Sequence, residues 1–142
     1  MTHLHIRPFD EADTEAVVTL WQACNLTRPW NDPYKDIQRK LTVGRDLFLV
    51  AVLNDRVIGT AMGGYEGHRG WVNYLAVAPE HQKKGYGRLL MKHLESKLLA
   101  LGCPKINLQV RAGNTAVIHF YEAIGYQQDA VVSLGKRLIP DN

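Results

Sequence analysis

Gln82, Lys83, Lys84, Gly85, Tyr86, Gly87 and Arg88 follow one another without a break, joining two glycines to three cations. That combination suits an anion. Glycine has no Cβ, so the chain turns tightly and a ligand can approach the backbone. The N–H groups of a helix that starts there have no partner inside the helix and face the same ligand. Phosphate is the natural guest. The letters exclude two other phosphate loops: G-x-x-x-x-G-K-[ST] is absent, and Leu90 stands where a dinucleotide loop needs its third glycine. A lone Q-x-x-G-x-G hexapeptide is more often only a turn, so its surroundings decide the reading. An apolar strand ending in Leu75-Ala76-Val77 leads into it. A helix leaves it, with Leu90, Leu94, Leu98 and Leu101 on one side and Lys92, Glu95 and Lys97 on the other.

A second constellation spans residues 107–126, N-L-Q-V-R-A-G-N-T-A-V-I-H-F-Y-E-A-I-G-Y. Asn114 can cap a helix that runs through Ile124 and closes on Gly125. Tyr121 lies within it. Spacing alone makes its ring a core residue, although a phenol protonated at neutral pH can also give up a proton.

With its two segments in this order and spacing, the chain resembles the GNAT superfamily of acetyl-CoA-dependent N-acetyltransferases, whose signature is Q/R-x-x-G-x-G/A between an L-A-V strand and a long helix. The resemblance covers the whole chain and is nearest to small bacterial YpeA-type members, with a second likeness to the RimI type. It implies that acetyl-CoA is the donor, with its pyrophosphate held by Gln82 and the backbone from Lys83 to Arg88. The main chain of Leu75, Ala76 and Val77 would pair with the pantetheine arm and supply an N–H to the developing oxyanion. Asn114 would touch the same arm, and Tyr121 would protonate the leaving thiolate. The segment carrying Arg28 and Trp30 would wall the acceptor pocket. Asn73 and Gln109 stand where relatives carry a carboxylate base, and an amide cannot take a proton. What is left is an already poorly protonated amine, a water relay, or another group such as Glu66, His68 or His119.

The activity expected is transfer of acetyl from acetyl-CoA to a primary amine by direct attack on the thioester. Two alternatives stay open: a catalytically silent acyl-CoA sensor or interaction module, and a phosphate- or nucleic-acid-binding domain using Lys83, Lys84 and Arg88. The formal net charge of +3 is too mild to argue for nucleic acid or an anionic membrane, and a polyanionic ligand accounts for the basic cluster. No apolar run reaches membrane-spanning length, and no leader pattern opens the chain, so the expected place is the cytoplasm. Cys24 and Cys103 form no paired framework and read as reduced core thiols. His3 and His5 share a strand face but lack a third ligand, so no metal is expected. The resemblance is compatible with a homodimer.

The 142 residues, 46% of them hydrophobic, suit one domain over residues 1–142. Strands are expected at residues 3–8, 47–53, 57–65, 71–77 and 106–110. Asp10 caps a first helix carrying Val17, Leu20, Trp21 and Cys24, and Asp32-Pro33 opens a short second one with Ile37 and Leu41. The tail, residues 126–139, reads as one or two last strands. The order is then βααβββαβαβ(β), a mixed α/β sheet with helices on both faces.

Overall fold

The computed structural model describes residues 4–141. His3 lies outside them, and with it the His3–His5 pair. Five strands form one sheet in the order β1-β2-β3-β4-β5: Leu4–Pro8, Phe48–Leu53, Arg56–Tyr65, Gly70–Val77 and Ile106–Leu108. The first four pair antiparallel, and β5 joins β4 in parallel. Helices α1 (Thr14–Ala23) and α2 (Pro33–Lys40) come between β1 and β2, α3 (Tyr86–Ala100) between β4 and β5, and α4 (Thr115–Ala123) after β5. Strand β2 reads as continuously apolar because both its faces are covered; Phe48, Leu49, Val50 and Ala51 are fully buried.

The local capping chemistry is as the residue types require. Asp32 accepts from Tyr34 N at 2.9 Å with Pro33 in the first turn of α2. Asp10 and Asp13 form a capping box before α1, and Arg7 grips both Asp13 oxygens at 2.8 and 2.9 Å. That bidentate contact holds the Asp13 carboxyl below the usual carboxylate range.

Two glycines of β3 let α3 lie close against the sheet. A Cβ at Gly59 would stand 2.9 Å from Leu90 Cδ1, and one at Gly63 would collide with Leu94. The next residue, Thr60, instead meets Trp21 of α1 at 2.9 Å. Adjacent strand residues point to opposite faces, so α1 and α3 cover opposite sides of the sheet. Gly63→Ala is therefore expected to destabilise the fold by about 1–3 kcal/mol through overpacking, read as a lower midpoint in urea unfolding. An unchanged midpoint would mean that Leu94 swings clear.

The expected last strands are not there: residues after Tyr126 form no ladder. Strand β5 has only three residues and offers little edge to pair with. Val132 and Leu134 are 84% and 91% exposed, so no apolar face holds the tail down. Side chains tether it at intervals instead: Lys105 to Asp129 at 3.0 Å, Gln109 to Ser133, Arg137 to Asn31 at 2.8 Å, and Arg39 to Asp141 at 2.7 Å. No helix among the described residues is long and apolar enough to cross a membrane, and no group of three metal-binding side chains occurs among them.

Candidate functional site

Strand β4 runs through a short turn at Pro79–His81 into the basic loop. Gln82 Nε2 donates to Val77 O at 2.9 Å and so ties the loop to the strand end. Lys83 and Gly85 adopt φ of 64° and 85°, and no side chain caps α3 behind them. Its first-turn N–H groups are therefore left for a ligand, with no acidic residue in that turn to oppose an anion. Lys83, Lys84 and Arg88 are exposed around them. The ring nitrogen Nδ1 of His81 is buried next to the loop without a hydrogen-bond partner, and its ring lies 6.3 Å from that of Tyr86. Gly87 also has a packing reason to be glycine. A Cβ there would meet Phe120 Cζ at 3.3 Å, so the glycine seats α4 beside α3.

The second element is a split between β4 and β5. Their ladder joins Gly70 to Ile106, Trp71 to Asn107 and Val72 to Leu108, then stops. Just beyond, Tyr74 has φ 52° and the β3–β4 register shifts between Thr60 and Met62, the mark of a β-bulge. Past the bulge Ala78 N bonds Ile58 O at 2.7 Å. Ladder groups alternate in direction, so Ala76 also turns toward β3, whereas Leu75 and Val77 turn theirs outward into the split. Of these, the Val77 carbonyl is already engaged by Gln82 and by Cys24 Sγ at 3.3 Å. The expectation for Leu75, Ala76 and Val77 thus narrows to the main chain of Leu75 and Val77.

The α1–α2 loop spans the mouth of this split. Trp30, 57% exposed, lies under the Arg111 guanidinium at 5.9 Å, just beyond β5. Its neighbour Asn31 reaches the Tyr74 hydroxyl of β4 at 3.2 Å. Arg28 is occupied within its own loop, donating to Asn25 O and Thr27 O at 2.8 and 2.9 Å. The Tyr74 ring stacks on Trp21 at 3.7 Å, and its hydroxyl donates to Asp36 Oδ2 at 2.6 Å. Burial, with that bond to a carboxylate, pushes the Tyr74 hydroxyl pKa well up. Thr60 accepts from Trp21 Nε1 and donates to Tyr74 O at 2.7 Å, which fixes the bulge from beneath.

Tyr121 is 8% exposed, with its ring edge-on to Phe120 and Tyr126 at 5.2 and 5.6 Å. Burial raises its hydroxyl to about 12, and no described residue hydrogen-bonds it. It borders a cavity of about 960 Å³ between β5, α4 and the tail, which does not include the basic loop. Asn114 caps α4 through Val117 N at 3.4 Å. Asn73 is exposed on β4 opposite Met62, and Gln109 bonds Ser133 of the tail. Glu66 and His68 lie 3.6 Å apart in the β3–β4 turn, at the other end of β4 from the loop. Neither is placed to serve as the base. His119 is exposed on α4. Tyr74, Asp36 and Asn31 were missed in the sequence, where only the position of Tyr74 beside L-A-V hinted at the site.

The family model described as the acetyltransferase (GNAT) family matches residues 14–126. A protein of Sodalis glossinidius named an acetyltransferase is 54% identical over 139 residues, covering 97% of this chain and 98% of its own. Among solved structures, an aminoglycoside N-acetyltransferase in complex with CoA superposes with a TM-score of 0.79 at 17% identity, over 98% of this chain and 97% of its own. The ribosomal-protein-S18-alanine N-acetyltransferase of Escherichia coli gives 0.75 at 23% identity, over 89% and 79%. Similarity at that level speaks for the fold.

Proposed function

The chain belongs to the acetyltransferase (GNAT) family and is an acetyltransferase, and we propose that it moves acetyl from acetyl-CoA to a primary amine by direct attack of the amine on the thioester, in the bacterial cytoplasm. One observation carries this reading: the outward main chain of Leu75 and Val77 leads, through the Pro79–His81 turn and the basic loop, to the uncapped start of α3. An extended amide chain that ends in phosphates matches both halves of that path.

When bound, acetyl-CoA supplies an activated acyl group and a thiolate leaving group. The backbone from Lys83 to Arg88 would hold the pyrophosphate, with Lys83, Lys84 and Arg88 adding charge. The Leu75 or Val77 N–H would stabilise charge on the carbonyl oxygen. Asn114 uses its Oδ1 for the cap, which leaves its amide N–H₂ free to donate to the arm. Tyr121, protonated well above neutral pH, would give its proton to the sulfur. Trp30, with Arg28 bracing its loop, would form the acceptor wall.

Thermal unfolding tests donor binding directly. Acetyl-CoA at a hundred times its Kd should stabilise the protein by about 2.7 kcal/mol if only the folded state binds. A melting temperature that ignores millimolar acetyl-CoA but rises with duplex DNA would overturn the proposal in favour of a nucleic-acid-binding domain.

A further inference from the structure

We propose that Asp36 receives the acceptor as a cationic amine and takes its proton, an assignment that rests on the transfer reading above. Neither β4 nor β5 offers a carboxylate at the split: Asn73 of β4 and Gln109, just past β5, are amides. Asp36 enters the region from α2. Trp30 lies under the guanidinium of Arg111, three residues past β5, and the adjacent Asn31 bonds the Tyr74 hydroxyl of β4, so their loop reaches both sides of the split. Asp36 hangs beneath that loop, fixed through its Oδ2 by the Tyr74 hydroxyl and by the Asn31 amide. It therefore stands one phenol ring from the residue preceding Leu75, whose main chain turns into the split.

The other oxygen is available. Asp36 Oδ1 meets only Arg39, at a weak 3.5 Å, and the side chain keeps 20% exposure, enough for a small group to approach. The cations nearest to it are already claimed. Asp141, 3% exposed, takes Arg39 at 2.7 Å and Arg137 at 3.7 Å. The groups facing Asp36 are thus Asp32 and Arg39 from α2, Tyr74 from β4, and Arg137 with Asp141 from the tail. Tyr74 keeps its proton. Asp141 balances only one of the two arginines, and Lys35 Nζ sits on its carbonyl at 2.7 Å, but it is Asp141 that takes the close guanidinium contact, so the Oδ1 of Asp36 is left without a close cation. An ammonium is its natural complement.

The protons balance. The ammonium passes one to Asp36 and so frees its lone pair. The nitrogen then bonds to the acetyl carbon as the C–S bond breaks and sulfur leaves with the electron pair. The second proton from nitrogen replaces the one that Tyr121 gives to sulfur, and Asp36 releases the first to solvent.

Asp36→Asn keeps the shape and an oxygen for Tyr74, so it tests charge rather than folding. For a strongly basic amine at pH 7, kcat/KM should fall about 10²-fold or more, with the melting temperature and acetyl-CoA Kd unchanged. The deficit should shrink as pH approaches the amine's own pKa, near ~10 for an alkylamine. A hydrazine-class acceptor, already neutral at pH 7, should be acetylated at nearly the parental rate. Calorimetry with CoA present should show weaker binding of the alkylamine alone. Tyr74→Phe, which leaves the charge but removes its anchor, should give a smaller deficit of the same pH shape. Parental kinetics in Asp36→Asn, or a deficit equal at every pH and for both acceptors, would overturn the assignment while leaving acetyl transfer intact. Failure of the parent protein to acetylate any amine would overturn the transfer reading, and this assignment with it.

Discussion

Tyr121→Phe is expected to lower kcat by about 10²–10⁴-fold, the range for loss of a positioned general acid, while the acetyl-CoA Kd stays where it was. The surroundings of the ring make this substitution clean. Phe keeps the edge-on contacts with Phe120 and Tyr126, and no described residue loses a hydrogen bond when the hydroxyl goes. Stability should hold, because the hydroxyl borders a cavity and bonds no described residue. Activity and stability therefore move apart, which a packing role alone does not allow. The pH profile carries a second mark. A hydroxyl raised to about 12 still holds its proton through the neutral and mildly alkaline range, so Tyr121 imposes no fall in kcat below about that pH. A Phe variant that retains more than about half of the parental kcat, with thiol release limiting, would remove Tyr121 from the chemistry and leave water as the proton source.

The second large effect belongs to the basic loop. Lys83→Glu combined with Lys84→Glu should weaken acetyl-CoA about 100-fold at low salt by setting two anions beside the phosphates. Added salt should narrow the gap, since exposed charges are screened. Both lysines are exposed, so the unliganded protein should melt as the parent does. Gly87→Glu is the less informative choice, because its Cβ would press on Phe120 and mix a packing defect with the electrostatic one. Equal affinity in the double variant, measured by calorimetry, would show that the phosphates lie elsewhere.

Much of this site was legible in the letters. Two glycines and three cations between an apolar strand and an amphipathic helix are a local pattern, and local chemistry decides where a helix starts and what it leaves uncapped. The split was not legible. It depends on Tyr74 adopting a positive φ, which no tyrosine advertises, and on a ladder that ends at Val72 as a result. Asp36 was hidden for a related reason, since 38 residues separate it from the hydroxyl that anchors it. The tail misled in the other direction. Its valines and leucines satisfy a strand pattern, yet a strand needs an edge to pair with, and β5 is too short to provide one. Glu66 and His68 looked available as bases because sequence gives their chemistry but not which end of β4 they occupy.

An acetyltransferase of this kind must deliver the acetyl group to nitrogen. The most direct measurement incubates the protein with acetyl-CoA and a panel of primary amines, counting free thiol and acetylated amine by mass spectrometry in the same sample. The expected result is one acetylated amine for each thiol released, with release dependent on the amine. Tight acetyl-CoA binding with no acetylated product from any amine would contradict the account and mark the chain as a silent acyl-CoA sensor.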